Sequence, residues 1–294
     1  MRTGSIEWSY SDVDDEKGGT VAGRTQSPGQ SVTSRVLSIL AAFEHTASPR
    51  TLTEISHLSG LPQSTAHRLL GELEGWGAVQ RDAQGRYQIG LRLWELGQHA
   101  GRRLRDVARP YLQDLFGLTQ ETVHLAVRDG SEVLYIDRVY GSRRVPQASR
   151  VGGRLPLHAT AVGRAILAFE DDWVREAVLS GPLVQSTPFT KIAPETLRHE
   201  LTKIRERGFA LASEEVRLGS CSLAVPVFHT DGRIFGALGI VLPTSRAHQL
   251  ERNLPVLLGT AARIQNGIAN LPASALQSAR RAPKGPRPAA GITP

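Results

Sequence analysis

Apolar residues first fall into register just after Ser31. Val36, Leu37, Ile39, Leu40 and Phe43 recur at helical spacing, which predicts an amphipathic helix of about four turns. The stretch from His45 to Arg50, with Pro49 in it, breaks that pattern. Thr51-Leu52-Thr53-Glu54 then reads as a capping box, a threonine N-cap with a glutamate three residues on. It opens a short helix carrying Ile55 and Leu58, which Gly60 stops and Leu61-Pro62 turns. Pro62 suits the start of a new helix, where its missing N–H would be unpaired anyway. That helix runs through Leu69 and Leu70 to Leu73, and Gly75 or Gly77 ends it. Ala78 to Arg81 and Arg86 to Ile89 are strand-like runs joined by Asp82-Ala83-Gln84-Gly85, which predicts a hairpin. Helix, helix, tight turn, helix, hairpin is the order of a winged helix-turn-helix.

Residues 91–110 predict a linker helix with Leu91, Leu93, Trp94 and Leu96, then a basic stretch ended by Pro110. Strands fit 123–127 and 133–139 about an Asp129-Gly130 turn, and helices fit 159–169 and 194–207. Further strands fit 209–213, 222–228 and 233–242, followed by a long helix over roughly 247–270. Paired strands with interspersed helices predict an α+β domain. The polar, acidic stretch 1–29 and the Pro, Ala and Arg-rich basic stretch 272–294 are expected to be disordered tails. The expected division is therefore 30–92 for the winged domain, with its motif at about 51–70, then 93–107 for the linker helix and 108–271 for the second domain.

At 294 residues there is room for a core in each of two domains. A net charge of +7 suits a polyanionic partner. Its placement tempers that inference, because Arg35, Arg50, Arg68, Arg81, Arg86 and Arg92 are balanced locally by six carboxylates. The excess sits at Arg102, Arg103, Arg105 and Arg109 and in the C-terminal stretch, so pattern rather than charge must identify a nucleic-acid face. No apolar run reaches the length of a membrane span, and the acidic N-terminus is unlike a signal peptide, so a cytoplasmic location without membrane contact is expected. The single cysteine, Cys221, excludes an internal disulfide and cysteine-rich zinc sites. No histidine pair stands at helical spacing, and neither a metal nor a cofactor is expected.

Three segments carry candidate chemistry. A helix entering the major groove offers its first turns to base edges, and here those turns hold Gln63, Ser64, Thr65, His67 and Arg68. Glutamine suits adenine, arginine suits guanine, and Arg81 and Arg86 in the hairpin are expected at phosphate or in the minor groove. The plain alternative is a solvated polar face, which the surrounding helix and hairpin order disfavours. The second segment runs from Gly152 to Arg164, a Gly-rich turn leading into a small-residue helix. Its exposed N–H groups suit an anion, and a tight turn with close packing accounts for it equally well. The third, Glu214 to Val227, leads polar residues into an apolar strand with Cys221 at its entry. Catalysis by Cys221 would need a histidine partner that the sequence does not place, so no catalytic residue is assigned.

Taken together these residues resemble the IclR family of bacterial transcription regulators over about 31–270. The resemblance rests on Ser34-Arg35-Val36-Leu37-Ser38-Ile39-Leu40, Leu52-Thr53-Glu54-Ile55, Gly60 to Leu70 and Gly85-Arg86-Tyr87-Gln88-Ile89-Gly90. In the second domain it rests on Leu155 to Arg164, Arg205 to Ala210, Glu214-Glu215 and Cys221 to Val227. It implies a homodimer or tetramer, dimerised through the DNA-binding domain, on a near-palindromic double-stranded DNA operator. It also implies a GAF-like C-terminal domain that binds a small organic effector, commonly an organic acid or aromatic compound. Repression is the implied sign, activation the alternative, and an enzyme using Cys221 the contrasting class. Position by position, the implied effector pocket takes in Gly153, Leu155, His158, Ala159, Thr160, Glu214, Cys221, Ser222, Gly239 and Val241. Two positions depart from the family. Arg164 stands where lysine is usual, and Gly239 and Val241 stand where hydroxyl side chains often bond an acid. The second departure points to a larger or more apolar effector than a small keto acid.

Overall fold

The structure is a computed structural model that describes residues 31–44, 48–99, 102–141, 150–269 and 271. The two expected tails lie outside the described residues. The chain divides into two compact units, one up to Leu96 and one from Gly97.

In the first unit each element starts where a side chain can take up free helix N–H groups. Ser31 caps α1 (Val32–Ala41) by accepting from the Ser34 N–H at 3.1 Å. Thr51 caps α2 (Leu52–Ser59) in a full capping box, with Thr51 N donating to Glu54 Oε2 at 2.7 Å. Those bonds from Thr51 hold the Glu54 carboxyl below its ordinary pKa. Gly60, at φ 68°, ends α2 in the left-handed region that glycine enters without strain. Then α3 (Gln63–Trp76) runs to Gly77. The hairpin of β1 (Val79–Arg81) and β2 (Tyr87–Ile89) follows, with Arg50 bonded to Tyr87 through both backbone groups at 2.8 and 2.7 Å. Ile39, Ile55, Ala66, Leu69, Leu70, Val79 and Tyr87 form one buried cluster.

Helix α4 (Leu91–His99) and helix α5 (Arg102–Thr119) span the stretch of the expected linker helix 93–107, with residues 100–101 outside the described residues. Pro110 does not end the helix but lies inside α5. Its ring is on the exposed side, and the buried stripe Leu104, Ala108, Leu112 and Leu115 continues past it. One lost backbone bond there costs about 3 kcal/mol, while burying two leucines beyond it returns roughly 1.5–3 kcal/mol each.

The second unit is built on an antiparallel sheet in the order β5-β4-β3-β8-β7-β6. Its strands are β3 (Thr122–Asp129), β4 (Glu132–Val139), β5 (Arg154–Pro156), β6 (Ala210–Ser213), β7 (Ser220–Phe228) and β8 (Ile234–Pro243). Alternation sends Leu125, Leu223, Val225 and Ile240 to the face covered by α5 and by α9 (Leu254–Ile268). The intervening Ala126, Ala224 and Ala237 face the side of α6 (Ala161–Leu167), α7 (Asp172–Leu179) and α8 (Pro194–Arg207). Most expected strands and helices fall within a few residues of these. The expected 247–270 helix begins only at Leu254, after two 3₁₀ turns, because Pro255 can sit only in a first turn. α7 and the edge strand β5 were not anticipated.

Candidate nucleic-acid interface and ligand cavity

α3 presents two faces. Ala66, Leu69 and Leu70 are buried, while Gln63, Ser64, His67 and Arg68 are exposed and Thr65 is half-buried. Gln63 Nε2 donates to Thr53 Oγ1 at 3.2 Å, tying the N-terminal ends of α2 and α3 together. Arg68 pairs with Glu72 one turn on. In the hairpin, Arg81 pairs with Glu74 at 3.1 Å and stacks over the Tyr87 ring at 4.6 Å. Arg86 Nε donates to Asp82 Oδ2 at 2.8 Å, and Asp82 Oδ1 accepts from the backbone N–H groups of Gln84 and Arg86. All three arginines thus sit at the surface beside carboxylates. Exposed pairs of this kind are worth at most about 1 kcal/mol, so a phosphate can replace the carboxylate at little loss.

In the second unit a cavity of about 60 Å³ lies on the α6 side of the sheet. That exceeds the roughly 10–15 Å³ one water needs. Leu155, Ala159, Thr160, Glu214, Ser222 and Val241 line it, six of the residues expected at a pocket. Four expected residues do not. Gly153 closes a turn by donating to Arg150 O at 2.8 Å. Gly239 lies beneath His124, where a Cβ would come within 2.7 Å of the imidazole Nε2. His158 lines a different surface hollow, its ring nitrogen 3.1 Å from Val184 O, and burial lowers its pKa. Cys221 points to the opposite face of the sheet, as its alternation with Ser222 requires, beside a wider and more open hollow. Burial, with the Glu121 and Glu214 carboxylates, pushes the Cys221 thiol pKa up, which disfavours the thiolate a nucleophile needs.

The Gly152–Arg164 segment is a tightly packed turn. A Cβ at Gly163 would stand 2.2 Å from Leu157 O, and the Gly163 N–H is already bonded to Thr160 Oγ1 at 2.9 Å. The expectation of free N–H groups for an anion is corrected to that extent.

Among the lining residues that escaped the sequence reading are two aromatic rings. His124 and Tyr135 stand edge-on at 5.1 Å, both almost fully buried. Burial, then the Arg138 charge, pulls the His124 pKa down to about 3, and burial raises that of Tyr135. On the opposite wall Glu214 adopts φ 58°, unusual for a residue with a side chain. Gly219 N–H donates to its Oε1 at 2.7 Å, and Thr187 Oγ1 to its carbonyl at 2.6 Å. Beside it, the buried Glu215 accepts from Arg164 Nη2. Arg164 is wholly buried, and its Nε and Nη1 have no partner among the described residues.

A three-helix winged motif joined to an α+β domain that encloses a small cavity is the build of a ligand-controlled transcription regulator. Family models described as "IclR helix-turn-helix domain" and "Bacterial transcriptional regulator IclR C-terminal" match residues 32–83 and 99–266. The chain is 37% identical over 221 residues to the HTH-type transcriptional regulator XynR of Escherichia coli, covering 74% of this chain and 88% of that one. It is 34% identical over 208 residues to the transcriptional repressor IclR of Escherichia coli, covering 66% and 73%. An IclR homologue from Microbacterium hydrocarbonoxydans, solved with 4-hydroxybenzoate, superposes with a TM-score of 0.75 at 33% identity, covering 81% of this chain and 99% of that one. The chain belongs to the IclR family of bacterial transcriptional regulators.

Proposed function

We propose that the protein is a repressor whose hold on a near-palindromic operator is set by a small organic effector in the α6-side cavity. The exposed polar face of α3 carries this reading: Gln63, Ser64, His67 and Arg68 stand outward over buried Ala66, Leu69 and Leu70. Thr65 completes the reading face, and Arg81 and Arg86 contact the flanking backbone. Leu37, Leu91 and Trp94, 58%, 68% and 61% exposed, supply apolar surface in the first unit for a homodimer, which pairs α3 with its copy across the operator. Leu155, Ala159, Thr160, Glu214, Ser222 and Val241 line the effector site. The 4-hydroxybenzoate of the Microbacterium homologue supports an aromatic or acid effector here too. The repressor named among the relatives supports the sign. The relatives are regulators rather than enzymes, and no helix among the described residues is long and apolar enough to cross a membrane, in keeping with a cytoplasmic protein.

Fluorescence anisotropy of the purified protein against its own upstream intergenic duplex and a scrambled duplex, at two salt concentrations, tests this. Tight binding to the first duplex alone is expected, with affinity falling as salt rises. Equal, weak binding to both would refute a specific operator at that site.

A further inference from the structure

Resting on the reading that this cavity is the effector site, we propose that its buried wall recognises an uncharged hydroxyl group on the effector, with His124 as the specificity-determining residue. The wall is made by one row of the sheet. His124 on β3 stands opposite Gly239 on β8, which stands opposite Ala224 on β7. Gly239 leaves no room for more: a Cβ there would come within 2.7 Å of His124 Nε2 and 2.8 Å of Val162 Cγ1. On the β8 and β7 side the row therefore holds no second polar side chain, while on the β4 side His124 stands opposite the buried Arg138.

That ring is not satisfied by the protein. His124 Nδ1 is buried and has no hydrogen-bond partner among the described residues. An orphaned buried polar atom costs about 1–3 kcal/mol, and a ligand group recovers it only by reaching Nδ1 itself. A neutral imidazole carries one donor and one acceptor nitrogen. A hydroxyl both donates and accepts, so it can meet whichever nitrogen the ring presents. A carboxylate fits this wall poorly. Leu155, Val162 and Val241 make the surroundings apolar, and among the described residues the ionisable carboxyls lining the cavity are Glu214 and Glu215 and no lysine or arginine lines it. An anion placed there would be desolvated beside two carboxylates; of the described cations nearby, Arg164 is already engaged by Glu215, and Arg138, whose charge acts on His124 and Tyr135 from the adjacent strand, does not line the cavity. The low pKa of His124 agrees, since the ring stays neutral at ordinary pH. An effector that also carries a carboxylate would keep it toward the half-exposed rim at Val216 and Ser220.

A hydroxyl can be phenolic or aliphatic, and matched pairs separate the two. Isothermal titration of the full-length protein would use 4-hydroxybenzoate against benzoate, and 4-hydroxycyclohexanecarboxylate against cyclohexanecarboxylate. The wild type should bind the hydroxylated member of at least one pair about tenfold or more tightly than its deoxy partner. His124→Leu should erase that preference while leaving the deoxy compound's affinity within about twofold, and His124→Gln should restore part of it. A preference that survives in His124→Leu overturns the proposal. So does the absence of any preference in both pairs, including failure of both hydroxylated probes to bind at about 10 mM. Ser222→Phe, which fills the cavity, keeps the two levels apart. A probe that binds this variant as well as wild type lies elsewhere, and the site reading fails. A probe lost in Ser222→Phe but indifferent to His124 sinks only the hydroxyl proposal.

Discussion

Substituting glutamine for His124 should flatten the stability of the second unit as pH falls from about 7.5 to 5. Burial, with the Arg138 charge, lowers the imidazole pKa from 6.5 to about 3. Between those values the folded state keeps the ring neutral while the unfolded chain binds a proton. Stability therefore rises with pH through this window and is lost as pH drops below about 6.5. The loss grows as RT ln(1 + 10^(6.5 − pH)) until the folded ring itself titrates, which gives roughly 2 kcal/mol at pH 5 and roughly 2.7 kcal/mol at pH 4.5. His158, lowered mainly by burial, adds a slope of the same sign, and Glu121, raised by burial, adds the opposite one. Both are common to wild type and variant, so the difference between the two proteins isolates His124. Urea unfolding followed by circular dichroism at pH 7.5, 6 and 5 measures it. The advantage of wild type over His124→Gln should shrink by about 2 kcal/mol across that range. A difference constant to within about 0.5 kcal/mol would mean that the folded ring titrates like a solvated one, and the picture of a dry, neutral His124 would be wrong.

Four further outcomes follow from the same geometry. Arg68→Ala should weaken operator binding by about 1–3 kcal/mol in an anisotropy titration and leave the unfolding midpoint unchanged, since only an exposed pair with Glu72 is lost. Loss of equal size on scrambled DNA would assign Arg68 to phosphate instead. Glu215→Gln should lower the urea midpoint by the equivalent of about 3–5 kcal/mol, because Arg164 becomes a buried cation without a counter-charge, and adding Arg164→Met should recover most of it. Gly90→Ala should destabilise the first unit by about 1–3 kcal/mol in thermal unfolding, because its Cβ would stand 2.1 Å from Gly77 O. Gly71→Ala on the exposed face of α3 meets nothing within 4 Å and should stabilise the fold by about 0.5–1 kcal/mol.

How much of this was legible depended on how local the cause was. Thr51 and Glu54 announce α2, and Gly60 and Pro62 announce the turn into α3, because each acts on a backbone group within four residues of itself. The winged motif was readable for that reason. Pro110 misled because its local effect on the ladder is real but is outweighed by the burial of Leu112 and Leu115 against a sheet formed later in the chain. α7 was missed although Asp172 in its first turn and Val174 and Val178 on one face signalled it. The cavity was half legible. Strand alternation separates Ser222 from Cys221, yet the resemblance grouped both in one pocket. Tyr135 could not have been placed by alternation at all. An irregular register between Leu125 and Ala126 pairs His124 with Arg138 but Ala126 with Tyr135, which brings Tyr135 to the face of His124.

Gly239 shows why a departure from a family pattern needs its neighbours before it can be interpreted. Taken alone on the last strand, it removes a hydrogen-bonding side chain and suggests a more apolar effector. In the sheet it is the space that His124 occupies from the adjacent strand. The polar function of the row is not lost but carried by β3. Its character differs from that of a hydroxyl that can bond an acid: it is a neutral ring at a cavity that no described lysine or arginine lines. Two residues that look independent in the sequence, a glycine on β8 and a histidine on β3, thus act as one unit. A side chain restored at 239 would therefore have to displace the imidazole before it could contribute a bond of its own. Gly239→Ser alone should cost stability, whereas Gly239→Ser combined with His124→Ala should tolerate it and shift the preference of the site from hydroxyl toward acid.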